Sequence, residues 1–347
     1  MRILQLITLS ELGGAQSVVV NLANYLCKNN EVVVAAGEGD GKMWQLLSPE
    51  IKKEHVKCLK QKISPADDIK AFFELKALYK KYKPDIIHLH SSKAGLLGRM
   101  AFPKVKIVYT VHGFDSIRLA HRKFLPLERL FQNRCKAIVG VSKYDERNLL
   151  SEGITNNVST VYNGIYPPEK LGEDPFRGYG YDKRILCIAR ISPQKNLELY
   201  IKIAELLPEY AFFWIGNQTE IKSVHPENLF FLGNIPDAGS YIRYVDLFML
   251  TSNYEGLPMV IIEALACSCP VIASDVGGIS ELLNGSNGYA VKNDPVRMAA
   301  LVDQTLKLPT DRIDNMSTAA YATYTDSFTV EHMSRGYLNI YNKIISI

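Results

Sequence analysis

The chain has 347 residues, of which 47% are hydrophobic and 22% charged, with a formal net charge of +4. That length suits two ordinary domains rather than one, and the composition excludes a disordered or fibrous chain. No apolar run reaches the roughly 18–20 residues of a membrane span, and so mild a positive charge supplies no concentrated face for nucleic acid.

The first residues form a short apolar patch that runs straight into Gly-rich turn chemistry and a helix. This predicts a first strand rather than an export signal, and a cytoplasmic protein. Strands are then expected at 2–8, 31–37, 85–90, 106–112, 137–141 and 159–162, with helices at 15–28 and 68–82 between them. After Asn163–Gly164 the chain is rich in Pro, Gly and charge and predicts an interdomain linker at 166–183. A second series follows, with strands at 184–190, 212–216, 229–232, 247–251, 271–274 and 288–291 and a helix at 197–207. Several strands are apolar on consecutive positions, such as Val32–Val34 and Ile185–Leu186, as parallel strands buried on both faces are. The fold class is therefore α/β, with two doubly wound Rossmann-like domains at 1–165 and 184–328 facing across a crevice. A last amphipathic helix at 331–347 closes one of them.

The chemistry gathers at predicted strand ends. Arg190 ends the first strand of the second domain and Lys195 follows five residues later, a corner where two cations can clamp a diphosphate. Glu255 lies on the loop after the strand at 247–251, and Glu263 on the next helix. Pro258 is placed near the start of that helix, where its missing N–H costs nothing. The free amides there suit phosphate, while the two acids suit sugar hydroxyls.

In the first domain, residues 8–16 form a Gly-rich turn that opens a helix, and no Walker loop occurs. His90 and His112 end strands, and His112 is placed to hydrogen-bond a sugar or a leaving phosphate. His90 stands beside it as a weaker candidate, either functional or a satisfied interior histidine. The six cysteines are read as structural, and no D-x-D or ligand-spaced cluster calls for a metal. Between Arg118 and Lys136 seven basic residues interleave with Phe and Leu, a segment suited either to an anionic membrane surface or to packing on its own domain.

Taken in order, GGAQ, HLHSSKAG, TVHGF, VYNGI, the Arg190 and Lys195 pair, FLGNI, SNYEGLPMVIIEA and DVGGISE resemble the motifs of family 4 glycosyltransferases over nearly the whole chain. The resemblance implies the GT-B fold, metal-independent transfer from a nucleotide sugar, most often a UDP-sugar, and retention of anomeric configuration. It also implies that the helix at 329–347 crosses back to the first domain. Arg190 and Lys195 would then bind the donor diphosphate, Glu263 the ribose, and Glu255 the sugar hydroxyls. The amides of Gly256 and Leu257 would meet sugar or phosphate, Gly14 the diphosphate, and His112 the sugar. Asn234 and Ile235 would lie by the base. Gly216-Asn217-Gln218 departs from the usual G-x-G, which puts backbone packing near the base in question.

HSSKAGLLGR is similar to the segment of bacterial transferases that extend lipid-linked saccharides in capsule or O-antigen synthesis. Lys93 and Arg99 would hold such an acceptor at the cytoplasmic face of the inner membrane. A UDP-sugar 2-epimerase of the same architecture and a non-catalytic nucleotide-sugar-binding subunit are the alternative readings.

Overall fold

The structure is a computed structural model that describes residues 1–170, 172–218, 221 and 225–346. Among these the chain divides into two units, Met1–Ile165 with Thr329–Ile347, and Tyr166–Phe328.

The first unit runs β1 (Arg2–Ile7), α1 (Gly14–Leu26), β2 (Glu31–Ala36), α2 (Lys42–Gln45), β3 (Lys52–His55), α3 (Pro65–Tyr82), β4 (Ile86–His90) and α4 (Ser92–Ala101). It continues with β5 (Ile107–Val111), α5 (Leu125–Phe131), β6 (Ala137–Gly140), α6 (Lys143–Ser151) and β7 (Val158–Thr160). Its seven strands are parallel in the order β3-β2-β1-β4-β5-β6-β7.

The second unit runs β8 (Arg184–Ile188), α7 (Leu197–Leu206), β9 (Ala211–Ile215), β10 (Leu229–Phe231), β11 (Leu247–Leu250), α8 (Met259–Ala266), β12 (Val271–Ser274), α9 (Ile279–Leu282), β13 (Gly288–Val291), α10 (Pro295–Leu306) and α11 (Thr310–Ser327). Its six strands are parallel in the order β10-β9-β8-β11-β12-β13. In each sheet the first strand pairs with a neighbour on either side, so the winding reverses between β1 and β4 and again between β8 and β11. Loops leaving adjacent strands there diverge and open a crevice at the carboxyl ends.

α12 (Val330–Ile345) packs on the first unit, where its buried stripe of Val330, Met333, Ser334, Tyr337 and Tyr341 meets the sheet and α1. Residue 347, the last of the expected helix, lies outside the described residues. Tyr341 donates or accepts at His88 Nδ1 over 2.6 Å, and the Thr110 hydroxyl lies 2.7 Å from His88 Nε2 and 3.1 Å from the Tyr337 hydroxyl. A polar layer thus forms inside an otherwise apolar core.

Two expectations are corrected, one strand was not expected, and the basic segment takes a form that the sequence left open. β3 reads KKEH and sits at the sheet edge with little burial, so it lacks the apolar run that marks a strand in sequence. α3 begins at Pro65 rather than 68, because the Ser64 side chain caps it by accepting from the Asp67 amide. The segment expected as a linker packs on the second unit instead: Phe176 is fully buried against Phe213, and Asp174 pairs with Arg184 at 2.6 Å. Residue 171 of it lies outside the described residues. The basic segment 118–136 breaks into a π turn, short 3-10 turns and α5. Arg122 and Arg129 both pair with Glu152, and Arg118 with Asp115, so much of its charge is neutralised.

Candidate functional site

The strongest constellation lies in the second unit, at its winding reversal. β8 ends at Ile188 and the chain continues through Arg190 to Lys195, while β11 ends at Leu250 and leads to Glu255. The Lys195 ammonium donates to Glu255 Oε1 at 2.5 Å, and the Ser252 hydroxyl donates to the same oxygen at 2.6 Å. The Glu255 side chain is only 7% exposed and that of Lys195 19%, so the pair is partly withdrawn from water.

Hydrogen bonds to backbone carbonyls staple the two loops together. The Asn253 amide donates to the Gln194 carbonyl at 2.7 Å, the Gln194 side chain to the Tyr254 carbonyl at 3.0 Å, and the Asn253 side chain to the Pro193 carbonyl at 2.8 Å. Asn196 adopts φ 49° and caps α7, which turns the chain sharply just after Lys195. Arg190, Ile191, Ser192, Gln194, Lys195 and Gln218 line an open depression of about 420 Å³. Arg190 is exposed on its rim. Two cations at such a depression can receive a dianion, and the carboxylate holds the lysine in place.

Two glycines that sequence reasoning did not single out make this geometry possible. Gly277 has φ +62°, and a Cβ there would fall 2.1 Å from the Glu255 carbonyl oxygen. The following amide, of Gly278, donates to the Gly256 carbonyl at 2.7 Å, so the loop after β12 cradles the loop of Glu255. Gly216 has φ +113°, and a Cβ there would meet the Ala189 carbonyl at 2.5 Å and the Arg190 amide at 3.3 Å. The D-V-G-G run held the signal for the first, read only as a family motif.

Pro258 is the N-cap of α8, at the helix start as expected. The turn Gly256–Leu257 precedes it, with Leu257 buried and Gly256 partly so. Glu263, one turn into α8, is partly buried, and a Cβ on Gly239 would lie 3.0 Å from its Oε2. Among the described residues no side chain or backbone group hydrogen-bonds its carboxylate. Burial, with the negative Asp237 nearby, pushes its pKa up to about 7. Asn234 is exposed and Ile235 partly buried on the loop after Gly233. That loop is tied to the second strand end by Asn217, whose Oδ1 accepts from the Gly233 amide at 2.8 Å, while the Gly216 amide donates to the Gly233 carbonyl at 2.7 Å. The Asn217 side chain bridges the two loops at the place where the sequence departs from G-x-G.

In the first unit the turn after β1 meets the turn after β4. Ser91 Oγ lies 2.7 Å from Thr8 Oγ1 and accepts from the Thr8 amide at 3.2 Å. Gly14 opens α1 and is exposed. His112 sits past β5 and lines a pocket of about 200 Å³ with Ala15, Ser91, Ser92, Gly113 and Ser116. His90 Nδ1 is 3.0 Å from His112 Nε2. Burial holds the His112 imidazole down, to about 4.

Lys93 does not extend into solvent: it pairs with Asp68 at 2.6 Å and donates to the Lys62 carbonyl. Arg99, expected to hold an acceptor, is fully buried and pairs with Glu128 at 2.7 Å against the Tyr109 ring, so it is a core residue. Among the described residues no group of three or more His, Cys, Asp or Glu is clustered to hold a metal ion, and no helix is long and apolar enough to cross a membrane.

Residues 12–167 match the family model described as Glycosyltransferase Family 4, and residues 176–323 the one described as Glycosyl transferases group 1. The chain is 26% identical to the O-antigen biosynthesis glycosyltransferase WbnH of Escherichia coli, over 96% of this chain and 97% of that one. It is 25% identical to an Escherichia coli UDP-Gal:alpha-D-GlcNAc-diphosphoundecaprenol alpha-1,3-galactosyltransferase, over 84% of this chain and 81% of that one. Among solved structures it superposes on Anabaena HepE in complex with UDP and glucose, with TM-score 0.83 and 20% identity over 99% of this chain and 100% of that one.

Two substitutions probe this geometry. Gly277→Ala forces a left-handed alanine against the Glu255 carbonyl and is expected to lower stability by more than about 1–2 kcal/mol, seen as a depressed thermal midpoint. Glu263→Gln is expected to change the pH dependence of stability. A carboxyl raised in the fold stabilises at acid pH, below its unfolded value, and that contribution is lost as pH rises through about 7. The amide carries no such loss, so the variant should gain about 1–3 kcal/mol over the parent between pH 4.5 and pH 8, read by urea unfolding. Parallel pH curves would contradict the buried, unpaired carboxylate.

Proposed function

The chain belongs to the family 4, group 1 glycosyltransferases, and from that premise we propose that it moves a hexose or N-acetylhexosamine from a UDP-sugar to a hydroxyl of a lipid-linked saccharide, with retention and without a metal. The observation that carries this reading is the pairing of Lys195 with Glu255 beside Arg190, at the winding reversal of the second unit. Cleaving the sugar–oxygen bond leaves a nucleoside diphosphate with growing negative charge and a sugar of oxocarbenium character. Arg190, Lys195 and the amides of Gly256 and Leu257 stabilise that charge where other transferases use a divalent ion. Glu255 then has two tasks, orienting Lys195 and accepting from sugar hydroxyls. Glu263, with no hydrogen-bond partner for its carboxylate among the described residues, accepts from the ribose. Asn234 and Ile235 flank the base, and Gly14 offers backbone to the phosphates.

No carboxylate is assigned as a nucleophile on the far face of the sugar. The acceptor hydroxyl attacks on the face that the diphosphate leaves, and its proton passes to the departing phosphate oxygen. His112 is neutral at pH 7 because burial depresses it, so it serves as a hydrogen-bonding group to the sugar and not as a charged acid. The names of the two Escherichia coli relatives, one in O-antigen synthesis and one acting on a GlcNAc-diphosphoundecaprenol, support a polyprenyl-diphosphate acceptor. Contact with the cytoplasmic face of the membrane follows from such an acceptor.

Product analysis tests the reading. Purified protein with EDTA, UDP-galactose or UDP-N-acetylglucosamine and a GlcNAc-diphospho-lipid analogue should yield an α-linked disaccharide and UDP. Lys195→Ala should lower turnover at least about tenfold while leaving the circular-dichroism spectrum unchanged. Epimerised donor without acceptor transfer, or strict dependence on added manganese, would overturn it.

A further inference from the structure

His90 ends β4 and His112 follows the adjacent β5, and their rings meet edge to edge, with centroids 5.3 Å apart and planes inclined by 23°. One proton is shared in the 3.0 Å contact between His90 Nδ1 and His112 Nε2, so one nitrogen donates and the other accepts. The surroundings of His90 decide which. Its side chain is fully buried, and its other nitrogen, Nε2, has no hydrogen-bond partner among the described residues. A proton on Nε2 would bury an orphan N–H. A proton on Nδ1 leaves only an unused lone pair, and buried orphan donors are the rarer of the two.

We propose that His90 is a positioning residue: its Nδ1–H donates to His112 Nε2 and thereby holds the His112 proton on Nδ1, so that His112 offers a fixed N–H donor to the pocket lined by Ser91, Ser92 and Ser116.

The surroundings immobilise His90 in this role. The His88 ring packs on it with centroids 3.9 Å apart, and His88 is in turn held at both nitrogens, by Tyr341 of α12 and by Thr110. Tyr337 of the same helix reaches Thr110. The residue after His90 is strained: Ser91 has φ 71° and ψ 151°, a region that residues other than glycine rarely occupy. That conformation turns the Ser91 side chain to Thr8 and starts α4 directly beyond the histidine. Burial also keeps His88, His90 and His112 neutral at pH 7, the condition in which a tautomer is defined. A neutral imidazole with its proton on a known nitrogen recognises an oxygen with a lone pair, a hydroxyl or a phosphate oxygen, and does not act as a base there. Only the identity of that oxygen rests on the transferase reading.

The test is long-range ¹H–¹⁵N NMR on the full chain labelled at histidine, at pH 7 and without substrate. The signal that vanishes in His112→Ala identifies His112. The expected result is an Nδ1–H tautomer for His112 in the parent protein. His90→Leu, which removes the donor, should release it to the Nε2–H form that free imidazoles favour. His90→Asn, whose amide nitrogen falls near the place of Nδ1, should restore the Nδ1–H form. An Nε2–H tautomer in the parent protein overturns the proposal whether or not His90→Leu folds. So does an unchanged tautomer in a folded His90→Leu. Because no substrate is present, either result leaves the transferase reading standing.

Discussion

One ion pair organises the second unit. The β11 loop must deliver a carboxylate and the β8 loop an ammonium to the same few ångströms, and each is costly to withdraw from water alone. Held together at 2.5 Å, with Ser252 completing the carboxylate's partners, they become tolerable at low exposure. The order of strands is what permits it. β8 and β11 are neighbours in the sheet but 60 residues separate Lys195 from Glu255 in the chain. A sheet wound in one direction only would cover that edge with a crossover.

The remaining features of this unit follow from keeping those two loops close. Glycines stand where any side chain would wedge them apart, Gly277 under Glu255 and Gly216 beside Arg190. Asparagines tie loop to loop where backbone ladders have ended: Asn253 to Pro193, and Asn217 to Gly233. Glu263 is the exception, a partly buried carboxylate with no hydrogen-bond partner among the described residues, raised by burial. Once ionised, such a group lowers the stability of the fold. The first unit shows the same economy in neutral form, with histidines, tyrosines and a threonine partnering one another beneath His112.

Much of this was legible in the amino-acid order. All twelve expected strands are present, because strands buried on both faces leave runs such as Val32–Val34. The edge strand at Lys52–His55 was not, since solvent on one side removes the apolar signal. Arg190, Lys195, Glu255 and Glu263 stood out as charges at strand ends. Their pairing did not, because spacing along the chain does not say which loops a sheet brings together. Arg99 misled for the opposite reason: a buried arginine with a buried glutamate looks, in sequence, like a surface cation. Gly277 was invisible as a contributor, and Asn217 showed only as a departure from G-x-G, because their work is done on the backbone of other loops.

The central claim is that Arg190 and Lys195 seat the pyrophosphate of a nucleotide in place of a divalent ion. A crystal structure of the protein with UDP, grown in EDTA, addresses it directly. The account predicts β-phosphate oxygens about 3 Å from Lys195 Nζ and from the Arg190 guanidinium, the distance of charge-assisted hydrogen bonds. A nucleotide bound with both cations turned away from its phosphates would contradict it.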